Sequence, residues 1–169
     1  YAQHVDPWGY LGAQPRLVGV RDVSLDQGGS VLVRWNSSPL DSFPDYAVSE
    51  YWIYRRDPGQ TAWSVVTTMP AQGLPAYSRV VQTLQDSTGG SNLYSSFKVE
   101  ARGSVSGRYW ASDVDSGYSV DNLAPPAPAP FTGEYAGGAA TLHWAVNPAA
   151  DLAEYRLYRG STADFVPGP

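Results

Sequence analysis

Residues 28–35 read Gly-Gly-Ser-Val-Leu-Val-Arg-Trp, and residues 137–144 read Gly-Gly-Ala-Ala-Thr-Leu-His-Trp. In both places a pair of glycines precedes a tryptophan at the same spacing. An aromatic run follows each tryptophan, Tyr-Trp-Ile-Tyr-Arg at 51–55 and Tyr-Arg-Leu-Tyr-Arg at 155–159. A segment that recurs at a long interval is typical of tandem structural units. The sequence therefore predicts two units of one fold.

The stretch after the first glycine pair alternates in polarity. Val31, Val33 and Trp35 fall on one side of an extended chain, and Leu32 and Arg34 fall on the other. A period of two after a glycine turn predicts a β-strand with one buried face. Similar runs, separated by turn residues and without a helical period, predict strands at 16–26, 50–56, 62–69, 77–84, 94–102 and 107–118.

Seven short strands with negligible helix predict an all-β protein, an antiparallel β-sandwich. We expect Trp35, Ile53, Phe97 and Val99 to pack against one another between its two sheets, because they alternate inward on their strands. Along the chain we predict an extended leader at 1–15, the sandwich at 16–122, a proline-rich linker at 123–130 and a partial second copy at 131–169.

Four of these segments resemble a bacterial fibronectin type III domain. They are the run that ends in Trp35, the Tyr51-x-Ile-Tyr-Arg run, the Phe97-x-Val-x-Ala run and the exit at 118–128. The resemblance extends over residues 16–169 and implies an Ig-like β-sandwich followed by a truncated second copy. Because this fold carries many unrelated functions, the resemblance implies little about activity.

One position departs from the family pattern. The family has a tyrosine two residues before the position of Phe97, where this chain has Ser95 with Tyr94 beside it. Either a bulge restores the packing of Tyr94, or the tyrosine corner is absent.

The composition excludes several classes of function. The 169-residue chain has a net charge of -5 and an isoelectric point near 4.8, with scattered basic residues, so we expect no nucleic acid partner. No apolar run approaches the length of a membrane span, so we expect no membrane insertion. The absence of cysteine excludes disulfides and cysteine ligands. Abundant Tyr, Ser, Thr, Gly and Pro beside scarce Lys favour a secreted, extracellular or cell-surface protein.

The sequence contains no catalytic pattern. His4 and His143, the two histidines, fall in different predicted domains, and His143 falls on the solvent side of its strand. The acidic residues around Asp41 and Asp113 lack the spacing of a calcium loop, and the serines lack the Gly-x-Ser-x-Gly turn of a hydrolase. We therefore predict no enzyme, no metal and no cofactor.

Exposed aromatic residues are the main candidates for function. If Ile53 faces the core, Trp52 and Tyr54 point to solvent beside Trp63 on the next strand. Such a strip predicts a surface that the leader, a neighbouring domain, another protein or a polysaccharide covers. With three residues of the leader, the predicted contact surface comprises Trp8, Tyr10, Leu11, Trp52, Tyr54 and Trp63.

The partial second copy predicts that something completes it. Trp144 is expected in a core, yet residues 131–169 hold too few strands to cover Trp144, Tyr155 and Leu157. Either the chain continues, or a neighbouring subunit supplies strands, for example from its leader. If each subunit completes the next one head to tail, the contacts do not form a closed ring. The second arrangement therefore predicts an extracellular filament or surface layer.

These features together predict a non-catalytic structural or adhesive module of a secreted or surface protein. Its expected partners are copies of itself or neighbouring domains of the same polypeptide. The alternative is a carbohydrate-binding or spacer module of a larger secreted hydrolase, and binding to insoluble glycans would separate the two.

Overall fold

A computed structural model of the chain describes residues 6–42, 44–88, 90–91, 93–149, 151–162 and 164–166. The chain divides into two compact units, Tyr1–Leu123 and Ala124–Pro169. Apart from a 3-10 turn at Pro39–Asp41, the regular structure of the described residues is entirely β. None of these residues belongs to a helix that is long and apolar enough to cross a membrane.

The first unit is built from two antiparallel sheets. Its strands are β1 (Arg16–Asp22), β2 (Ser30–Asn36), β3 (Val48–Arg56), β4 (Ser64–Pro70), β5 (Ala76–Gln82), β6 (Ser95–Gly103), β7 (Tyr109–Ala111) and β8 (Asp115–Gly117). One sheet has the order β1-β2-β5, and the other has the order β4-β3-β6-β7 with β8 also paired to β6. All of these pairings are antiparallel. The predicted β-sandwich of the Ig and fibronectin type III class is confirmed.

β7 and β8 form one interrupted edge strand. Between them, the Ser112 hydroxyl accepts a hydrogen bond from the backbone N–H of Val99 (3.0 Å), where a strand would offer a carbonyl. The backbone N–H of Ser112 donates to the carbonyl of Val99 (2.8 Å). The register of β8 on β6 is shifted relative to that of β7, as at a β-bulge. Counted as one strand, this edge gives the seven strands that the sequence predicts.

The core lies between the two sheets. Trp35, Ile53, Phe97 and Val99 are fully buried and belong to one apolar cluster, as predicted. Their burial follows from the period of two along β2, β3 and β6.

Tyr94 does not form the tyrosine corner of the fibronectin type III pattern. Tyr94 is exposed and packs edge-on against Tyr118, with ring centroids 5.0 Å apart. The neighbouring Ser95 is buried and donates a hydrogen bond to the carboxylate of Asp57 (3.0 Å). No bulge returns Tyr94 to the core, which settles the alternative that the sequence left open.

The described part of the leader packs on the first unit. The Asp6 carboxylate accepts hydrogen bonds from the backbone of Trp8 (2.9 Å) and Tyr10 (2.8 Å) and from the indole of Trp110. The rings of Trp8 and Tyr10 lie edge-on to that of Trp110, at centroid distances of 5.6 and 5.8 Å. Ala13, which precedes β1, is buried. Residues 6–15 are therefore part of the first unit rather than a free extension.

The second unit contains a hairpin of β9 (Phe131–Ala136) and β10 (Ala139–Trp144), joined by a glycine turn. The described residues form no strand at 155–159, although the repeat of the run at 51–55 implies a strand there. Trp144 is 40% exposed, so its predicted place in a core is wrong. Both differences have one cause, because the hairpin lacks the second sheet that buries Trp35.

Candidate contact surface

The outer face of the sheet that contains β3 and β6 carries aromatic and cationic side chains. Because Ile53 is buried, Trp52 and Tyr54 on either side of it point outward, as predicted. The register sets Trp52 opposite Glu100 and Tyr54 opposite Lys98 on β6. We call this surface the aromatic-cation face. Its members are Trp52, Tyr54, Arg56, Trp63, Lys98, Glu100, Arg102 and Tyr109.

Cationic groups lie over the rings of the aromatic-cation face. The guanidinium carbon of Arg102 lies 4.3 Å from the ring centroid of Trp52 and 5.1 Å from that of Tyr109. The ammonium nitrogen of Lys98 lies 4.7 Å from the ring centroid of Tyr54. These distances fall within the roughly 6 Å of a cation–π interaction. Cations and rings therefore alternate across the face.

Trp63 belongs to the aromatic-cation face, although it lies just before β4 and not within that strand. Its ring centroid lies 4.8 Å from the guanidinium carbon of Arg56 and 5.3 Å from the ammonium nitrogen of Lys98. Trp52, Tyr54 and Trp63 are half-buried. The three rings are thus half-buried where we expected them to be exposed, because long cationic side chains cover ring faces that would otherwise meet solvent.

Glu100 holds two of the cations in place. Its buried carboxylate lies 2.8 Å from the ammonium of Lys98 through Oε1 and 2.8 Å from the guanidinium of Arg102 through Oε2. Arg102 also donates a hydrogen bond to the hydroxyl of Tyr54, and burial raises the pKa of that hydroxyl. The contact of Oε1 with Lys98 is also a hydrogen bond, whereas the contact of Oε2 with Arg102 is an ion pair alone. The face is thus an internally connected network.

We expect Arg102→Ala to lower the free energy of unfolding by about 1–2 kcal/mol. The substitution removes the cation from two rings and leaves one oxygen of Glu100 without its partner. Urea denaturation of the full chain, followed by circular dichroism, measures the change. Arg79→Ala is the matched control, since Arg79 is an exposed arginine of β5, and its effect should stay within about 0.5 kcal/mol. Equal effects of the two substitutions would contradict a stabilising network.

The predicted leader residues divide between two positions. Trp8, which is 36% exposed, lines a shallow groove of about 440 Å³ together with Tyr109 of the aromatic-cation face. Leu11 is exposed, Tyr10 packs partly buried against the core, and neither lines this groove. The structure therefore brings Trp8 next to the aromatic-cation face and leaves Tyr10 and Leu11 outside it.

A buried polar cluster, which the sequence did not predict, lies under the β2–β3 and β4–β5 loops. The carboxylate of Asp41, which is 2% exposed, accepts hydrogen bonds from the hydroxyls of Tyr51 (3.0 Å) and Tyr77 (2.6 Å). It also accepts one from the backbone N–H of Gly73 (3.0 Å). The Tyr51 hydroxyl accepts from the backbone N–H of Ser38 (3.0 Å). An aspartate between two prolines is typical of a turn at the surface. The local sequence therefore does not predict that Asp41 is buried.

The two tyrosines of this cluster make stability depend on alkaline pH. Burial raises the pKa of Tyr51 far above its ordinary value and also raises the pKa of Tyr77. In the unfolded chain both ionise near pH ~10. Their contribution to stability is therefore fully present below about pH 10 and is lost as the pH rises further, because the unfolded chain releases protons that the folded chain retains.

We accordingly expect the free energy of unfolding to fall above about pH 10, by up to ~1.4 kcal/mol per pH unit for each tyrosine. Urea denaturation at a series of alkaline pH values measures this slope. Tyr51→Phe should give a shallower slope, because it removes one of the three tyrosines whose pKa burial raises, the third being Tyr54 of the aromatic-cation face. A slope for Tyr51→Phe as steep as that of the parent chain would contradict the assignment.

A cleft of about 440 Å³ near the β3–β4 turn has a polar floor. There the guanidinium of Arg55 lies 2.8 Å from the carboxylate of Asp57 and donates to the carbonyl of Gln82. Ser95 donates its hydroxyl hydrogen bond to the same carboxylate. These groups form an ion pair tied to the backbone, which differs from the nucleophile and base of a covalent catalyst.

The described residues contain no group of three or more His, Asp or Glu side chains that could hold a metal ion. His143 is exposed on β10, as predicted, whereas His4 lies outside the described residues.

Comparisons with known proteins find no matching family model and no matching curated protein. Among solved structures, the chain is similar to domains A168–A170 of titin, with 16% identity and a TM-score of 0.42 over 62% of this chain and 31% of that one. It is also similar to the titin kinase with its flanking domains, with 16% identity and a TM-score of 0.40 over 63% of this chain and 17% of that one. The chain thus spans less than a third of either structure.

Proposed function

We propose that this chain is a non-catalytic structural module built from tandem fibronectin type III-like units of a secreted or surface protein. The proposal rests on one observation. The hydrogen bonds near Trp144 in the second unit repeat those near Trp35 in the first unit. The cysteine-free, lysine-poor composition supports an extracellular setting.

In the first unit, one side chain pins the loop after Trp35. Ser38 is the third residue after Trp35, and its backbone N–H donates to the hydroxyl of Tyr51, whose ring lies 5.7 Å from that of Trp35. The Ser38 hydroxyl accepts from the backbone N–H of Leu40 (3.2 Å) and donates to the carbonyl of Ala13 (2.6 Å). The loop is thereby tied both to the next strand and to the segment before β1.

The second unit makes the same contacts with different residues. Asn147 is the third residue after Trp144, and its backbone N–H donates to the hydroxyl of Tyr155 (2.7 Å), whose ring lies 5.9 Å from that of Trp144. The Asn147 side chain accepts from the backbone N–H of Ala149 (2.9 Å) and donates to the carbonyl of Pro126 (2.6 Å). Repetition of this set of bonds supports two copies of one structural unit in tandem.

The aromatic-cation face supports a role in stability or protein contact over one in sugar binding. Stacking on a sugar requires an open ring face, and Trp52, Tyr54 and Trp63 each have a cation over the ring. A neighbouring domain or another protein can meet the edges of these rings and the paired charges without displacing the cations. The carbohydrate-binding module of a secreted hydrolase is therefore the weaker alternative.

Assembly into a filament or surface layer stays a prediction. Donation of the leader to a neighbouring subunit would require Trp8 and Tyr10 to leave the ring of Trp110, against which both pack in their own unit. The proposed structural role therefore does not require the leader to be exchanged between subunits.

Retention of the full chain on insoluble glycans tests the proposed function against its alternative. We expect no more retention on cellulose or chitin than for serum albumin, because the ring faces are occupied. Retention that is abolished by a Trp52→Ala and Trp63→Ala double substitution, and kept by Arg79→Ala, would instead favour a carbohydrate-binding module.

A further inference from the structure

The cleft near the β3–β4 turn of the first unit has the size and the mixed lining of a site for a small ligand. Its volume of about 440 Å³ lies within the roughly 300–1,000 Å³ that such sites occupy. Arg55, Asp57 and Ser95 provide polar lining, and Leu84 and Leu93 provide apolar lining. Arg55 is only 9% exposed and Ser95 only 4%, so the fold itself holds these polar groups in place.

One nitrogen of the Arg55 guanidinium is available to a ligand in this cleft. Nε donates a hydrogen bond to the carboxylate of Asp57 (3.0 Å), and Nη1 donates to the carbonyl of Gln82. Within the described part of the chain no group accepts a hydrogen bond from Nη2, which is accessible to solvent. The N–H groups of Nη2 can therefore donate to an acceptor that enters the cleft.

The lining of the cleft is formally neutral. The charges of Arg55 and Asp57 lie 2.8 Å apart and compensate each other, and the remaining lining residues carry no charge. An anion would be attracted by Arg55 but repelled by Asp57, and a cation would meet the opposite balance. Either ion would also lose hydration that the paired charges cannot replace. An uncharged polar group loses much less hydration, so the charge balance favours a neutral ligand.

We propose that this cleft binds a small ligand with an uncharged carboxamide head and a short aliphatic tail. The carboxamide oxygen accepts a hydrogen bond from Nη2 of Arg55. The carboxamide N–H groups donate to the hydroxyl oxygen of Ser95 and to the side-chain oxygen of Gln85, both of which line the cleft. The aliphatic tail packs against Leu84 and Leu93. The site is additional to the proposed structural role, which does not require a ligand.

Three probes with the same branched tail and different head groups test the proposal. Isovaleramide is neutral, isovalerate is negatively charged and isoamylamine is positively charged at neutral pH. Each probe is titrated into the isotopically labelled full chain, and NMR follows the backbone amides of Arg55, Ser64 and Ser95. We expect isovaleramide to shift these amides to saturation and the two charged probes to bind at least about tenfold more weakly.

Ala62→Trp fills the cleft, and Thr61→Trp is its matched control. Ala62 lines the cleft and is exposed, so a larger side chain there occupies the cleft without entering the core. Thr61 is exposed in the same loop and does not line the cleft. We expect Ala62→Trp to weaken the binding of isovaleramide at least about tenfold, and Thr61→Trp to change it by less than about twofold.

Binding of isovaleramide that exceeds that of the charged probes and is lost in Ala62→Trp supports the site. The absence of saturable shifts with isovaleramide would overturn it. Equal binding of all three probes, or tighter binding of a charged one, would overturn the recognition of a neutral head group. An unchanged affinity in Ala62→Trp would show that the probe binds elsewhere. The comparison of the three probes uses the parent chain, so it decides the matter even where a variant is destabilised.

Discussion

Trp35→Ala is expected to lower the free energy of unfolding of the first unit by about 3–5 kcal/mol. Trp35 is fully buried, and its ring contacts those of Tyr51 and Tyr77, each at a centroid distance of 5.7 Å. Truncation leaves a cavity between two hydrogen-bonded sheets, which cannot collapse to fill it. A loss of this size approaches the total stability of a small domain. Urea denaturation followed by circular dichroism measures it.

Trp144→Ala and His143→Ala are the matched controls for this experiment. Trp144 follows the second glycine pair at the same spacing as Trp35 follows the first, and both control positions are exposed on β10. Each should change the unfolding of the first unit by less than about 0.5 kcal/mol. If either control cost as much as Trp35→Ala, the assignment of buried and exposed positions would be wrong.

The strands and core of the first unit could be predicted because their signal is local. Alternation at 31–35 and 97–101 by itself determines which side chains face inward. The same rule gives the outward direction of Trp52 and Tyr54 at the candidate contact surface. Neither result requires knowledge of which strands become neighbours.

The features that could not be predicted depend on contacts between distant segments. Trp144 has the same local pattern as Trp35, yet its burial needs strands that the hairpin does not contain. The cation over Trp52 comes from Arg102 on β6, so it depends on the register between β3 and β6. The burial of Asp41 depends on two tyrosines that come from different sheets. A local pattern specifies the direction of a side chain but not what covers it.

Asp41→Ala is expected to lower the free energy of unfolding by about 2–4 kcal/mol. The substitution removes the acceptor of the hydroxyls of Tyr51 and Tyr77 and of the backbone N–H of Gly73. The two tyrosines are buried, so each hydroxyl that loses this acceptor carries a desolvation cost. Tyr51 lies on β3 in one sheet and Tyr77 on β5 in the other, so the loss also removes a polar link between the sheets. Urea denaturation at neutral pH measures the change.

Two further substitutions distinguish the loss of the hydrogen bonds of Asp41 from a general effect of removing a negative charge. Asp45→Ala removes an exposed aspartate of the same loop and should change the free energy of unfolding by less than about 0.5 kcal/mol. Tyr51→Phe should cost about 1 kcal/mol, because the backbone N–H of Ser38 then loses its acceptor. In a double-mutant cycle the effects of Asp41→Ala and Tyr51→Phe should fall short of additivity, since both break the same hydrogen bond. Additive effects would contradict a stabilising hydrogen bond between Asp41 and Tyr51, and an Asp45→Ala cost equal to that of Asp41→Ala would show that loss of a negative charge from this loop is enough.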